Sequence, residues 1–114
     1  MTNSRQKGKR GELQLAKKFK EYGIEAYRSQ QYSGHHQKGD PDLKGTPGLH
    51  VEVKWQQKQE LEKWLAQAKN DCSSDKLPIL SHKRNNEGWK ITMDFDTFMS
   101  LYREWLESHE LGGD

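Results

Sequence analysis

The sequence predicts a single α/β domain over residues 1–114, in which a central mixed β-sheet is flanked by helices. The chain has 114 residues, which is the length of one domain. Apolar residues recur at helical spacing in three segments, and shorter segments between them alternate as strands do. Four Trp, four Tyr and three Phe supply a core, although 32% of the residues are charged. The predicted element order is α-β-β-β-α-β-β-α.

The first helix is predicted to run from Gly8 to Tyr22 and to end at Gly23. Its apolar stripe consists of Leu15, Ala16 and Phe19. Glu12 lies on the same stripe, where a carboxylate is unfavourable unless a cation pairs with it. Two explanations stay open: Glu12 contributes to a metal site, or it complements the positive end of the helix dipole.

A hairpin is predicted to bring two carboxylates together after a short strand over Ile24–Arg28. The Pro41-Asp42 motif opens one strand, and the Thr46-Pro47-Gly48 turn leads into the next, over residues 50–54. This arrangement sets Asp42 beside Glu52. Because side chains alternate between the two faces of a strand, Glu52 shares its face with Lys54.

This constellation predicts hydrolysis of phosphodiesters. Adjacent carboxylates repel each other unless a cation lies between them, and Mg²⁺ is the hard cation that oxygen ligands suit, with Mn²⁺ as a substitute. Such an ion polarises a phosphoryl oxygen and lowers the pKa of a bound water, while Lys54 orients the nucleophile or balances developing charge. The alternative is a solvated polar hairpin face, since Glu-x-Lys arises by chance in many charged sequences.

The second half of the chain is predicted to contain a helix, a hairpin and a last helix. The helix is predicted over Gln57–Asn70, and the hairpin strands over residues 77–83 and 88–93. The buried face of the second strand is predicted to consist of Trp89, Ile91 and Met93. Asp96 is predicted to cap the last helix. Its aromatic stripe consists of Phe98, Leu101, Tyr102, Trp105 and Leu106. We expect this stripe to be core, with a dimer interface as the alternative.

Cations cluster at the start of the first helix, although the net charge of the chain is only +2. The cluster consists of Arg5, Lys7, Lys9 and Arg10. Positive charge there opposes the helix dipole, so we expect a compensating partner outside the helix. Phosphate is the predicted partner, because neutralising it releases condensed counterions. Lys83 is predicted to extend this surface, and a solvated basic tail is the alternative.

Other residues restrict the function classes. Cys72 is the only cysteine, which excludes an internal disulfide framework and a multi-cysteine zinc site. His35 and His36 lie in a polar loop over residues 29–38, and a histidine-metal nuclease is a further alternative, although neighbouring histidines point in different directions. No segment has the apolar length of a membrane span or a secretory signal. We therefore expect a soluble, intracellular protein without membrane contact.

Short segments between Lys7 and Met93 together resemble a known family. They are Lys7-Gly8, Gly11-Glu12-Leu13, Tyr22-Gly23-Ile24, Tyr27-Arg28-Ser29, Pro41-Asp42-Leu43, Val51-Glu52-Val53-Lys54, Leu77-Pro78-Ile79-Leu80-Ser81-His82-Lys83 and Gly88-Trp89. The chain resembles the Holliday junction resolvases of the archaeal Hjc type, within the PD-(D/E)XK nuclease superfamily, and in particular a phage-encoded relative. It departs from that family in the polar Gln30–Gly39 loop and in a short connection from Asp42 to Glu52.

The resemblance implies a restriction-endonuclease-like core, bound Mg²⁺, DNA as substrate and a symmetric homodimer. The implied metal-site acids are Glu12, Asp42 and Glu52, with the Val53 carbonyl as a further ligand and Lys54 as the catalytic lysine. The implied DNA-binding residues are Lys7, Arg10, Arg28, Ser29 and Ser33. Lys9 and Lys83 join this set on charge alone.

The leading hypothesis from the sequence is a dimeric, Mg²⁺-dependent, structure-specific DNA endonuclease that acts on four-way junctions or other branched DNA. One alternative is a nuclease of the same core that acts on forks, flaps or duplex DNA. Another is a DNA-binding protein without catalytic activity. The acids argue against pure binding, because carboxylates facing phosphate would weaken it.

Overall fold

The computed structural model describes residues 4–29 and 39–109, and it has the predicted order of helices and strands. The elements are α1 (Ser4–Glu21), β1 (Tyr27–Arg28), β2 (Leu43–Lys44), β3 (Leu49–Trp55), α2 (Leu61–Asp71), β4 (Leu77–Lys83), β5 (Lys90–Thr92) and α3 (Phe95–Ser108). The predicted fold class is therefore confirmed: α/β, with a mixed sheet flanked by helices, consistent with a restriction-endonuclease-like core.

The five strands form one sheet in the order β1-β2-β3-β4-β5. Strands β3 and β4 are parallel, and the other neighbouring pairs are antiparallel. The parallel register runs from Leu49 opposite Leu77 to Trp55 opposite Lys83. Because parallel strands need a crossover, α2 lies between them in the chain. The carboxyl ends of β3 and β4 consequently meet at one edge of the sheet.

Helices α1 and α2 cover opposite faces of the sheet. Val51 and Val53 point to the α1 face of β3 and belong to the core cluster there. That cluster consists of Leu15, Ala16, Ala26, Leu43, Val51, Val53 and Ile79. On the other face, Trp64 and Ala68 of α2 are buried, as the helical spacing predicts. None of the helices within residues 4–29 and 39–109 is long and apolar enough to cross a membrane.

Helix boundaries differ from the predicted ones for local reasons. Helix α1 begins four residues before the predicted Gly8, at Ser4. Helix α2 begins at Leu61 instead of Gln57. The Gln57 carbonyl accepts a hydrogen bond from the Arg84 side chain at 3.1 Å, and its side chain accepts one from the backbone N–H of Asn85. These bonds hold Gln57 in an irregular connection, so the helix starts after it.

Helix α3 does not supply core, contrary to the prediction. Its N-cap is Asp94 instead of Asp96, and Thr97 is its one buried residue. The exposed apolar residues of the helix are Phe95, Phe98, Leu101, Tyr102 and Trp105. The sheet ends at the three-residue strand β5, and α1 and α2 already cover its two faces. Among the described residues, the apolar stripe of α3 therefore has no uncovered sheet face to pack on. Ile91 of β5, also predicted as buried, is 45% exposed.

Candidate active site

Backbone hydrogen bonds hold Asp42 at the start of β2, between β1 and β3. Its N–H donates to the Val51 carbonyl at 2.9 Å, and its carbonyl accepts from the Ser29 N–H at 3.0 Å. Its carboxylate oxygen Oδ2 accepts a hydrogen bond from the Val53 N–H at 2.8 Å. The side chain is therefore fixed beside β3, as the predicted hairpin requires.

The carboxyl groups of Asp42 and Glu52 lie together. Burial, followed by the negative charges of Glu52 and Glu12, raises the pKa of Asp42 to about 8, against the opposing hydrogen bond from the Val53 N–H. A carboxyl group with a pKa this high indicates that a second negative charge is unfavourable at this buried position, and a cation would relieve that penalty.

Glu52 is buried on β3 and has a histidine partner that the sequence analysis missed. His50 lies two residues earlier on the same face of the strand and is 2% exposed. Its Nε2 atom is 3.1 Å from Oε1 of Glu52. A carboxylate only accepts hydrogen bonds, so the imidazole donates through Nε2. The His-x-Glu spacing on a predicted strand was the available signal.

Glu12 faces the site from α1 and is bound by a cation. The Arg28 guanidinium lies 3.0 Å from the Glu12 carboxylate, which joins α1 to β1. Glu12 is more than a full turn from the start of α1 at Ser4, where the helix dipole acts weakly. The helix dipole therefore does not explain Glu12, and its part in a metal site stays a prediction, supported by the effect of its charge on Asp42. Within the described ranges, no three His, Cys, Asp or Glu side chains are arranged to hold a metal ion.

Lys54 lies on the same face of β3 as Glu52 and reaches towards α2. Its Nζ atom is 6.0 Å from the centre of the Trp64 ring. In the part of the chain that the structure describes, no acid forms an ion pair with Lys54. Its ammonium group is therefore available to an anionic ligand.

Ser29 lies inside the protein, away from the position expected of a DNA contact. Its side chain is 0% exposed, and its hydroxyl donates to the Pro41 carbonyl. This position favours a role in holding the Pro41-Asp42 turn against β1. Arg28 is likewise engaged with Glu12.

The remaining predicted DNA-binding residues lie in two places. Lys7, Arg10 and Lys83 gather around the ring of Trp55, a residue that the sequence analysis did not single out. Lys9 is exposed on α1. Ser33, His35 and His36 lie outside the described residues.

Comparison with known proteins gives one match. The model of a family described as "Phage putative PDDEXK endonuclease" matches residues 3–111, which is nearly the whole chain. No curated protein and no solved structure matches the chain.

Proposed function

The chain belongs to the phage PD-(D/E)XK endonuclease family, and on that premise we propose that it is a metal-dependent, structure-specific endonuclease. Its substrate is DNA, and the proposed reaction is the resolution of four-way junctions. The observation that carries the proposal is the convergence of the Asp42 and Glu52 carboxyl groups, with the pKa of Asp42 raised to about 8. Repulsion between two carboxyl groups destabilises a protein that has no cation to place between them, and a bound cation removes that repulsion.

The residues present fit a divalent metal ion. Asp42 and Glu52 supply two carboxylates, and both are hard oxygen ligands of the type that Mg²⁺ and Mn²⁺ prefer. The Val53 N–H points to the edge of β3 that carries Asp42, and the carbonyl of the same residue lies on that edge too, so it supplies a third oxygen. Glu12 adds negative charge from the α1 side, where it acts on Asp42 while paired with Arg28. When bound, the ion supplies Lewis-acid polarisation of a phosphoryl oxygen and stabilises charge on the leaving oxygen.

The protein's own residues would position the ligands and the reacting phosphate. His50 fixes the orientation of the Glu52 carboxylate, as hydrogen-bond partners of ligating groups commonly do. The Val53 N–H does the same for Asp42. Lys54, without an ion pair to an acid, donates hydrogen bonds to the attacking water or to a phosphoryl oxygen and balances the charge that develops there. Water forms the new bond to phosphorus, and the bond to the leaving oxygen breaks.

Resolution of a junction requires two equivalent cuts, so the proposal includes a symmetric dimer. Helix α3 offers the surface. On this helix Phe95 is 74% exposed and Trp105 is 49% exposed. The side-chain rings stack in a row along the stripe, in the order Phe98, Tyr102, Trp105 and His109. Aromatic side chains remove roughly 150–250 Å² each from water when they are fully covered. Because the four aromatic side chains of the stripe are about half exposed, two copies would cover on the order of 1,000 Å², near the lower limit of a specific interface. An isolated helix of this length is marginal in water, which also favours a partner.

Cleavage of labelled DNA tests the proposal. An immobile four-way junction, a flap and a linear duplex of the same sequence are incubated with Mg²⁺ or with EDTA. We expect paired nicks in the junction with Mg²⁺ and none with EDTA. Glu52→Gln should abolish cleavage, whereas Glu62→Gln, an exposed acid on α2, should cleave like the wild type. Full activity in EDTA or in Glu52→Gln would contradict the metal site, and equal cleavage of the linear duplex would contradict structure specificity.

A further inference from the structure

Three cations surround one indole ring at the carboxyl end of β3. The Nζ atom of Lys83, the register partner of Trp55 on β4, is 4.3 Å from the centre of the Trp55 ring. From α1, the Arg10 guanidinium lies 5.4 Å and the Lys7 Nζ 5.7 Å from the same ring. We call these four residues the Trp55 cluster. Three of them, Lys7, Arg10 and Trp55, line a cleft of about 460 Å³ together with Asn85 and Asn86.

Hydrogen bonds and close packing hold the Trp55 ring in place. Its Nε1–H donates to the Asn85 side chain at 2.8 Å, so the polar end of the indole is anchored to the β4–β5 turn. A second ring, Trp89, is anchored by a 2.8 Å hydrogen bond to Gln14. Both rings pack on Gly11, where an added Cβ would lie 3.5 Å from Trp55 and 3.6 Å from Trp89. The rings are thus fixed before any ligand binds.

The charge of the Trp55 cluster is not neutralised inside the protein. Within residues 4–29 and 39–109, none of Lys7, Arg10 and Lys83 forms an ion pair with an acid. A cation–π contact at an exposed site contributes only about 0.5–1 kcal/mol, and three like charges beside one ring repel each other. Phosphate groups would remove that repulsion, and the flexible side chains can turn to them from the ring.

We propose that the Trp55 cluster binds a single-stranded segment of the DNA substrate, with an unpaired base stacked on Trp55 and the flanking phosphates bound by the three cations. The inference rests on the proposed function, since it assumes that DNA is the substrate. Stacking of a base on an aromatic side chain contributes about 1–3 kcal/mol and needs a base outside a duplex stack. The cluster therefore binds DNA with unpaired nucleotides, which flaps and forks carry and which a four-way junction would supply by opening a base pair at the branch.

The position of the cluster suits this role. Trp55 directly follows Lys54 in the chain, and the two residues point to opposite faces of β3. A strand bound at the Trp55 cluster therefore lies at the same sheet edge as the catalytic lysine. The wet, basic and aromatic composition is that of a platform for single-stranded nucleic acid.

Strand binding in EDTA tests the inference without cleavage. The probes are a fluorescently labelled thymidine oligonucleotide, a strand of the same length whose central nucleotides lack bases, and a duplex, each titrated by anisotropy. The wild type should bind the thymidine strand more tightly than the abasic strand. Trp55→Leu should weaken thymidine-strand binding by roughly 5- to 150-fold, the equivalent of one stacked base, and should leave abasic-strand binding nearly unchanged.

Two variants control for folding and for aromatic character. Trp55→Phe keeps a ring and should retain most of the affinity, and Tyr22→Leu removes a ring that is 83% exposed just after α1 and should bind like the wild type. Equal binding of thymidine and abasic strands by the wild type would overturn the inference even if every Trp55 variant failed to fold. If Trp55→Leu lost the same affinity for the thymidine strand and the abasic strand, the Trp55 cluster would bind phosphates only, and the inference of base stacking would be overturned. Because DNA binding is measured in EDTA, the binding result does not depend on whether the protein cleaves DNA, and the two proposals can fail independently.

Discussion

Replacing Asp42 with asparagine should stabilise the metal-free protein by an amount that grows with pH. Burial and the charges of Glu52 and Glu12 raise the pKa of Asp42 from 3.8 to about 8 in the folded protein. Between those values the folded state keeps a proton that the unfolded chain has released. The folded state then binds more protons than the unfolded state, so stability falls as pH rises. Asparagine removes the charge and retains an oxygen for the Val53 N–H.

The magnitude follows from the interval between the two pKa values. Stability falls by about 1.4 kcal/mol for each pH unit between 3.8 and about 8, and it levels off above that range. The full interval corresponds to roughly 6 kcal/mol, which is an upper limit because water screens the exposed part of the half-buried Asp42 side chain. Mg²⁺ should restore the stability of the wild type at high pH, since binding to the folded state alone stabilises it. Asp42→Asn should respond far less to Mg²⁺.

Guanidinium chloride unfolding in EDTA measures the effect at about pH 5, about pH 7 and about pH 9. The stability of Asp42→Asn minus that of the wild type should rise by up to roughly 4 kcal/mol across this series. Glu104→Gln removes an exposed acid on α3 and should show no such rise. A difference between Asp42→Asn and the wild type that does not change with pH would refute the adjacency of the Asp42 and Glu52 carboxyl groups in solution.

Three further predictions concern the residues that support the site and the dimer. His50→Ala should lower the cleavage rate about 10- to 100-fold, because the Glu52 carboxylate loses the hydrogen-bond donor that orients it. His50→Gln should recover much of that rate. Equal steady-state rates for the wild type, His50→Ala and His50→Gln would exclude an orienting role for His50. Gly45→Ala should destabilise the fold by roughly 1–3 kcal/mol or more in chemical denaturation, since φ is 80° and the added Cβ would collide with a backbone carbonyl. Gly23→Ala, at φ 83° with open space around it, should cost less, and equal costs would disprove the collision. Trp105→Glu places a charge on the exposed stripe of α3 and should convert the proposed dimer to a monomer in sedimentation velocity, whereas an unchanged mass would contradict an interface on α3.

Local patterns were sufficient to predict the fold and the centre of the candidate site. Strand alternation alone puts Glu52 and Lys54 on one face of β3, and the turn at residues 46–48 brings Asp42 alongside. These features depend on residues close in sequence, whose geometry follows from backbone periodicity. The His50 partner was equally accessible, because it lies two residues from Glu52 on the same strand.

Contacts between distant segments could not be predicted in the same way. The pairing of Arg28 with Glu12 depends on how α1 lies against β1, and the burial of Ser29 depends on its bond to Pro41. Periodicity shows that one face of α3 is apolar, but it does not show what covers that face. The wrong assignment of the α3 stripe to the core arose from this gap, since most of the stripe is exposed in the structure.

The order of residues at the end of β3 links the two proposed sites. Glu52 and Trp55 are separated by three positions, or about 10 Å along a strand. A stacked nucleic acid strand advances about 3.4 Å per nucleotide, so that distance corresponds to roughly three nucleotides. Because Trp55 lies on the opposite face of β3 from Glu52 and Lys54, a strand with one base on Trp55 would reach the acidic site by passing the carboxyl end of β3. Under the two proposals, the unpaired segment of a branched substrate would then set which phosphodiester lies at the acidic site, without any contact that reads sequence.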